Sequence, residues 1–107
     1  MNEIKELVTP MVIEKNYSSF EEFYKNEKRS IYIKIIDVFE DIIKENIKER
    51  KLLVVANIDG CVFDTNFLVS KIDKTLLTGT VSSYFEQLEE YETCNRIAKL
   101  CSELQKV

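Results

Sequence analysis

Two runs rich in β-branched and aromatic residues, Leu52 to Ile58 and Cys61 to about Lys71, are separated by Asp59-Gly60 alone. No other feature of the chain limits its fold as strongly. A two-residue loop between antiparallel strands needs positive φ at both central positions, and Asp-Gly supplies it at low steric cost. Such a loop pairs 58 with 61, 56 with 63, 54 with 65 and 52 with 67. One face then carries Ile58, Ala56, Val54 and Leu52 against Cys61, Phe63, Thr65 and Phe67, nearly all apolar. The opposite face sets Leu53, Val55 and Asn57 against Val62, Asp64, Asn66 and Leu68, a mixture that solvent or a partner would cover.

Helical periodicity dominates the rest of the chain. Ile4, Leu7, Val8 and Met11 follow the i, i+3, i+4, i+7 spacing of one helix face. Pro10 interrupts that face, so either a short helix ends before Thr9 or Thr9 caps a new turn with Pro10 in its first position. Ser19 with Glu22, or Ser18 with Glu21, forms a capping box that starts a helix near Phe20. Phe20, Phe23 and Tyr24, then Ile35, Val38, Phe39, Ile42, Ile43 and Ile47, carry its apolar stripe to about Arg50. Ser30 to Ile35 alternates β-branched residues, and the stripe that follows without a turn signal favours helix there. Whether one helix or two fill 20–50 depends on Ser30. Asp73-Lys74 marks a second turn with Thr75 to Thr78 as a short third strand, and Ser83 with Glu86 opens a C-terminal helix. The fold class expected is α+β: N-terminal helices, a central antiparallel hairpin or three-stranded meander, and a C-terminal helix packed on the sheet, in one domain over 1–107.

The stretch Leu53 to Thr65 is similar to the first motif of haloacid dehalogenase-like phosphatases, an apolar strand followed by Asp-x-Asp-Gly-Thr and, two positions on, an aspartate. The resemblance implies a nucleophile at Asn57, an acid/base group at Asp59 and a magnesium-dependent loop. Asn57 departs from that pattern, because an amide neither attacks phosphorus as a carboxylate does nor binds Mg²⁺ as well. Cys61 replaces the threonine, and the residues that follow are too few for a doubly wound domain. Turn chemistry accounts for Asp59-Gly60 completely.

Composition narrows the function classes. The sequence has no histidine, two glycines and one proline among 107 residues, which removes the commonest proton carrier and leaves little backbone for a phosphate-cradling loop. A formal net charge of −4 argues against nucleic-acid binding, since Glu27 and Glu49 interrupt the basic stretches 25–29 and 48–51. The charged first residues resemble no signal peptide and no run is long enough to span a bilayer, so a cytoplasmic protein is expected. Cys61, Cys94 and Cys101 are an odd set, read as reduced thiols with small apolar packing roles.

The expectation is a small non-enzymatic interaction protein: a regulator, adaptor or inhibitor, with a phage or mobile element as one source. No cofactor or metal is expected. The partner is another protein, with self-association open because a small sheet leaves unpaired edges. A structural subunit of a homo-oligomer is the alternative, and a minimal metal-dependent phosphohydrolase ranks below it. The surfaces singled out are the mixed hairpin face, Val55, Asn57, Val62, Asp64, Asn66 and Leu68, and the acidic pair Glu89 and Glu90.

Overall fold

A computed structural model describes residues 7–105. The elements run β1 (Val8–Tyr17), α1 (Phe20–Glu45), β2 (Glu49–Ile58), β3 (Cys61–Ser70), a π-helical segment (Leu76–Val81), α2 (Ser82–Gln87) and α3 (Tyr91–Gln105). The sheet order is β1-β2-β3, with β1 parallel and β3 antiparallel to β2. The architecture is α+β, but its order differs from the one expected.

The hairpin holds residue by residue. Ile58 pairs with Cys61, Ala56 with Phe63, Val54 with Thr65 and Leu52 with Phe67. Asp59 and Gly60 sit at φ 51° and 76°, the left-handed pair a two-residue turn requires. The Gly60 N–H donates to Asn16 Oδ1 at 3.0 Å, so β1 also braces the turn.

The first correction falls on residues 8–15, which lie in strand β1 and not in a helix; Ile4 lies outside the described residues. In β1 the side chains of Thr9, Met11 and Ile13 turn toward the core while Val8, Pro10 and Val12 turn away, a period of two. Lys51 N–H donates to Leu7 C=O at 2.8 Å, so odd-numbered residues face β2 at this end and the nitrogen of Pro10 points to the open edge. Proline costs no ladder bond there. A register shift between Val12 and Asn16 kinks the strand further along.

One helix, α1, crosses from β1 to β2 without a break at Ser30. Ser19 Oγ accepts the Glu22 N–H at 3.1 Å, and Glu22 reaches back to the Ser18 N–H at 3.3 Å. Asn46, at φ 53°, closes the other end. Two adjoining stripes of α1 are buried, Ile31, Ile35, Val38 and Ile42 beside Tyr32, Ile36 and Phe39. The width of that apolar surface follows from α1 packing on the sheet and on α3 and the π segment as well.

Two further expectations are corrected. Thr75 to Thr78 is helical, because Asp73 Oδ1 accepts both the Thr75 N–H at 3.1 Å and its hydroxyl at 2.6 Å and so starts a helix. The C-terminal region is also not a single helix opening at Ser83. Ser83 lies inside α2, and Glu89 at φ 56° turns the chain into α3. It is α1 that covers the sheet, while α3 packs on α1, α2 and the π segment. Arg96 of α3 ties to Glu40 at 2.6 Å and Asp37 at 2.9 Å, both on α1.

Tyr17 fixes α1 to the end of β1: it is buried, its ring meets Phe23 edge-on at 5.7 Å, and its hydroxyl donates to Glu27. The Glu27 carboxylate holding that proton, helped by burial, pushes the Tyr17 phenol up to about 12. Burial pushes Tyr32 up as well. Because the unfolded chain loses these protons near pH 10 and the folded chain keeps Tyr17's until about 12, the folded state binds more protons between those values. Stability is therefore expected to fall as pH rises from about 10 to about 12. Denaturant titrations at the two ends of that window should show a smaller fall in Tyr17→Phe than in the wild type; an equal fall would exclude Tyr17 as a source.

Candidate functional site: an open sheet edge

The hydrogen bond from Lys71 N–H to Lys48 C=O, 2.9 Å, sets the phase of the β2–β3 ladder. Counting back in twos, Val69, Phe67, Thr65, Phe63 and Cys61 exchange bonds with β2, while Val62, Asp64, Asn66 and Leu68 aim their backbone groups outward. Among the described residues no strand pairs with that side of β3.

The two edges of the sheet differ in kind. The β1 edge carries Pro10, a register shift and Glu14-Lys15, features that obstruct pairing by a further strand. The β3 edge is 10 residues long, with no proline, bulge or lysine, and Asp64 is its one charge. Its side chains are unusually apolar for their exposure: Val62 is 69 % exposed, Leu68 54 % and Phe63 41 %.

Beside this edge lies a groove. Leu52, Val54, Ala56 and Ile58 are buried beneath α1, but Phe63 and Thr65 on the same face of β3 are exposed and Phe67 is half-buried. The gap between α1 and β3 is a largely apolar hollow of about 450 Å³ lined by Phe20, Phe23, Tyr24, Ile31, Thr65 and Phe67 together with Glu21. Phe20 reaches across to Phe63, ring centroids 4.7 Å apart and nearly perpendicular.

Of the residues singled out from sequence, Val55, Asn57, Val62, Asp64, Asn66 and Leu68 share the outer face of the sheet, which no described element covers. Val62, Asp64, Asn66 and Leu68 lie on β3 and so belong to its open edge. Val55 and Asn57 sit on the central strand. The Asn57 amide donates long hydrogen bonds to the carbonyls of Ile13 and Glu14, 3.4 and 3.5 Å, where the register of β1 shifts. Asn57 thus serves β1 and lies on a strand that enters a hairpin through the two-residue Asp59-Gly60 turn. Among the described residues no cluster of His, Cys, Asp and Glu is arranged to hold a metal ion.

Glu89 and Glu90 stand apart from this site, in the turn before α3. Arg29 grips Glu90 through two hydrogen bonds, 2.6 and 3.0 Å, and that contact holds the Glu90 carboxyl below its ordinary range. A second aromatic cluster is filled from within, with Lys28 Nζ 5.1 Å from the Tyr24 ring, 5.7 Å from Tyr32 and 5.4 Å from Tyr84. The sequence reading placed Phe63 and Phe67 on the covered face. Their exposure depends on where α1 lies, which no local pattern records.

Fold and site together define a two-layer α+β module whose mixed sheet has one protected edge and one unprotected edge. No family model, curated protein or solved structure matches the chain. Among the described residues no helix is long and apolar enough to cross a membrane.

Proposed function

We propose that this chain is a protein-interaction module that binds by strand addition to β3, not an enzyme. The observation that carries this reading is the unprotected 10-residue edge beside an apolar groove. An added strand takes the outward backbone groups of Val62, Asp64, Asn66 and Leu68, and its alternate side chains enter the hollow between α1 and β3. Backbone pairing supplies affinity, and the aromatic walls supply selection by shape. The Asn57 amide and the absence of histidine from the sequence both weigh against proton-transfer or phosphoryl chemistry at the hairpin.

Asn66→Pro tests the edge. It removes an outward N–H, breaks no bond to β2, and lies on a strand edge where proline is tolerated. Affinity purification of the wild type and this variant, quantified by mass spectrometry, should show the principal specific partner, a further copy of the chain included, recovered at least about tenfold less with the variant. A tenfold loss corresponds to about 1.4 kcal/mol, the order of one or two lost hydrogen bonds. Equal recovery, with the variant's thermal transition intact, would place binding elsewhere.

A further inference from the structure

Read outward from Thr65, β3 is a chemical palindrome. Asp64 and Asn66 flank the centre, then Phe63 and Phe67, then Val62 and Leu68. A two-fold axis through Thr65 would run β3 antiparallel to its own copy and set each residue against its chemical counterpart. We propose that the strand occupying the β3 edge is β3 of a second copy in this register, joining two three-stranded sheets into one of six strands. The inference rests on the reading of that edge as the docking site and names its occupant.

The phase of the ladder permits this register. Val62, Asp64, Asn66 and Leu68 all face outward, and the symmetry pairs Val62 with the second copy's Leu68 and Asp64 with the second copy's Asn66. These positions become hydrogen-bonded pairs and contribute roughly eight backbone bonds. Thr65 against its symmetry mate and Phe63 against the second copy's Phe67 become the closer, non-hydrogen-bonded pairs. On the outer face Val62 and Leu68, 69 % and 54 % exposed, cover one another, and the Asn66 amide donates to the opposing Asp64 carboxylate. On the inner face the Phe63 and Phe67 rings of both copies meet at the mouth of the hollow lined by Phe20 and Tyr24. A closed two-fold contact also removes both open edges at once, so assembly stops at a dimer.

Neighbouring registers lose these matches. A shift of the symmetry centre to Asp64 sets the carboxylates of the two copies directly opposite one another. A shift to Asn66 places Asp64 against Leu68 and Phe67 against Thr65. Charge and aromatic pairing therefore both select Thr65 as the centre.

The full-length protein, studied by sedimentation across a range of concentrations, is expected to be a dimer in reversible equilibrium. Asn66→Asp sets two like-charged pairs across the interface and should weaken the dimer about tenfold, whereas Asn66→Lys, facing Asp64, should bind at least as tightly as the wild type. Oxidation of a Cys61→Ser, Thr65→Cys double variant should give a covalent dimer, because symmetry-related Cα atoms at a non-hydrogen-bonded pair lie about 4.5 Å apart. The same treatment of Cys61→Ser, Val62→Cys should not, since those positions would be roughly 20 Å apart along the strands. Cys94 and Cys101 remain in both variants, so cross-linking through them would appear in each. Circular dichroism melts confirm folding; Thr65 and Asn66 are exposed and outside the core. A dimer indifferent to Asn66, or cross-linking as readily at Val62 as at Thr65, overturns the register. A wild-type monomer that loses a foreign partner on Asn66→Pro overturns the second copy as occupant but leaves strand addition standing. A monomer whose partners ignore Asn66→Pro overturns both.

Discussion

Phe39→Ala is expected to lower the unfolding free energy by about 3–5 kcal/mol, the range for removing a large aromatic from a packed core. Phe39 has no exposed surface, and its helix is the one element that packs on the sheet, on the π segment and on α3. A domain of this size holds about 5–15 kcal/mol in all, so the variant should be partly unfolded at moderate temperature. Urea unfolding measures the effect as a fall in midpoint at nearly constant slope. Phe67→Ala, which truncates a half-buried ring on the groove wall, should cost clearly less. Equal losses at the two positions would contradict the central place of α1.

The hairpin turn gives the second large effect. Replacing Gly60 by alanine should cost about 1–2 kcal/mol, because a residue with a Cβ held in the left-handed region pays about that much, whereas Asp59 is already such a residue and its replacement adds only the smaller difference between aspartate and alanine there. A Cβ built on Gly60 meets nothing within 4 Å, so the penalty is one of backbone conformation and not of crowding. Gly79 is the control. It also has open space around its Cβ, but it lies at ordinary φ inside the π-helical segment. Gly79→Ala should therefore be neutral or add up to about 1 kcal/mol by restricting the unfolded chain. Alanine is then destabilising at Gly60 and not at Gly79, two equally uncrowded glycines, and thermal or urea melts of the variants decide it.

The parts of the fold visible in the sequence are those whose causes are local. Asp59-Gly60 dictates a two-residue turn, the turn dictates the register, and the register sorts side chains onto two faces. Ser19 and Glu22 mark the start of α1 for the same reason, since a cap satisfies donors within one turn. β1 was hidden because Leu7, Val8 and Met11 fit one face of a helix, whereas the strand places Val8 on the face opposite Met11. What decides between them is pairing with β2, about forty residues downstream. The helical start at Thr75 was masked by Thr75 and Thr78, whose β-branched side chains favour strand, and Asp73 overrides them with two hydrogen bonds.

For the candidate site the division is sharper. The palindrome about Thr65 and the apolar character of β3 are properties of the sequence alone, set by side-chain order. Whether that strand would be central or peripheral is not, because hydrogen-bonding groups on a strand look alike until its neighbours are placed. β1 entering the sheet on the far side of β2 leaves β3 at the edge, and α1 lying over β2 leaves Phe63 exposed and Phe67 only half-buried. The sequence by itself determined the hairpin, its register and the matched halves of its second strand; only the tertiary structure decided that no described strand pairs with the outer side of that strand.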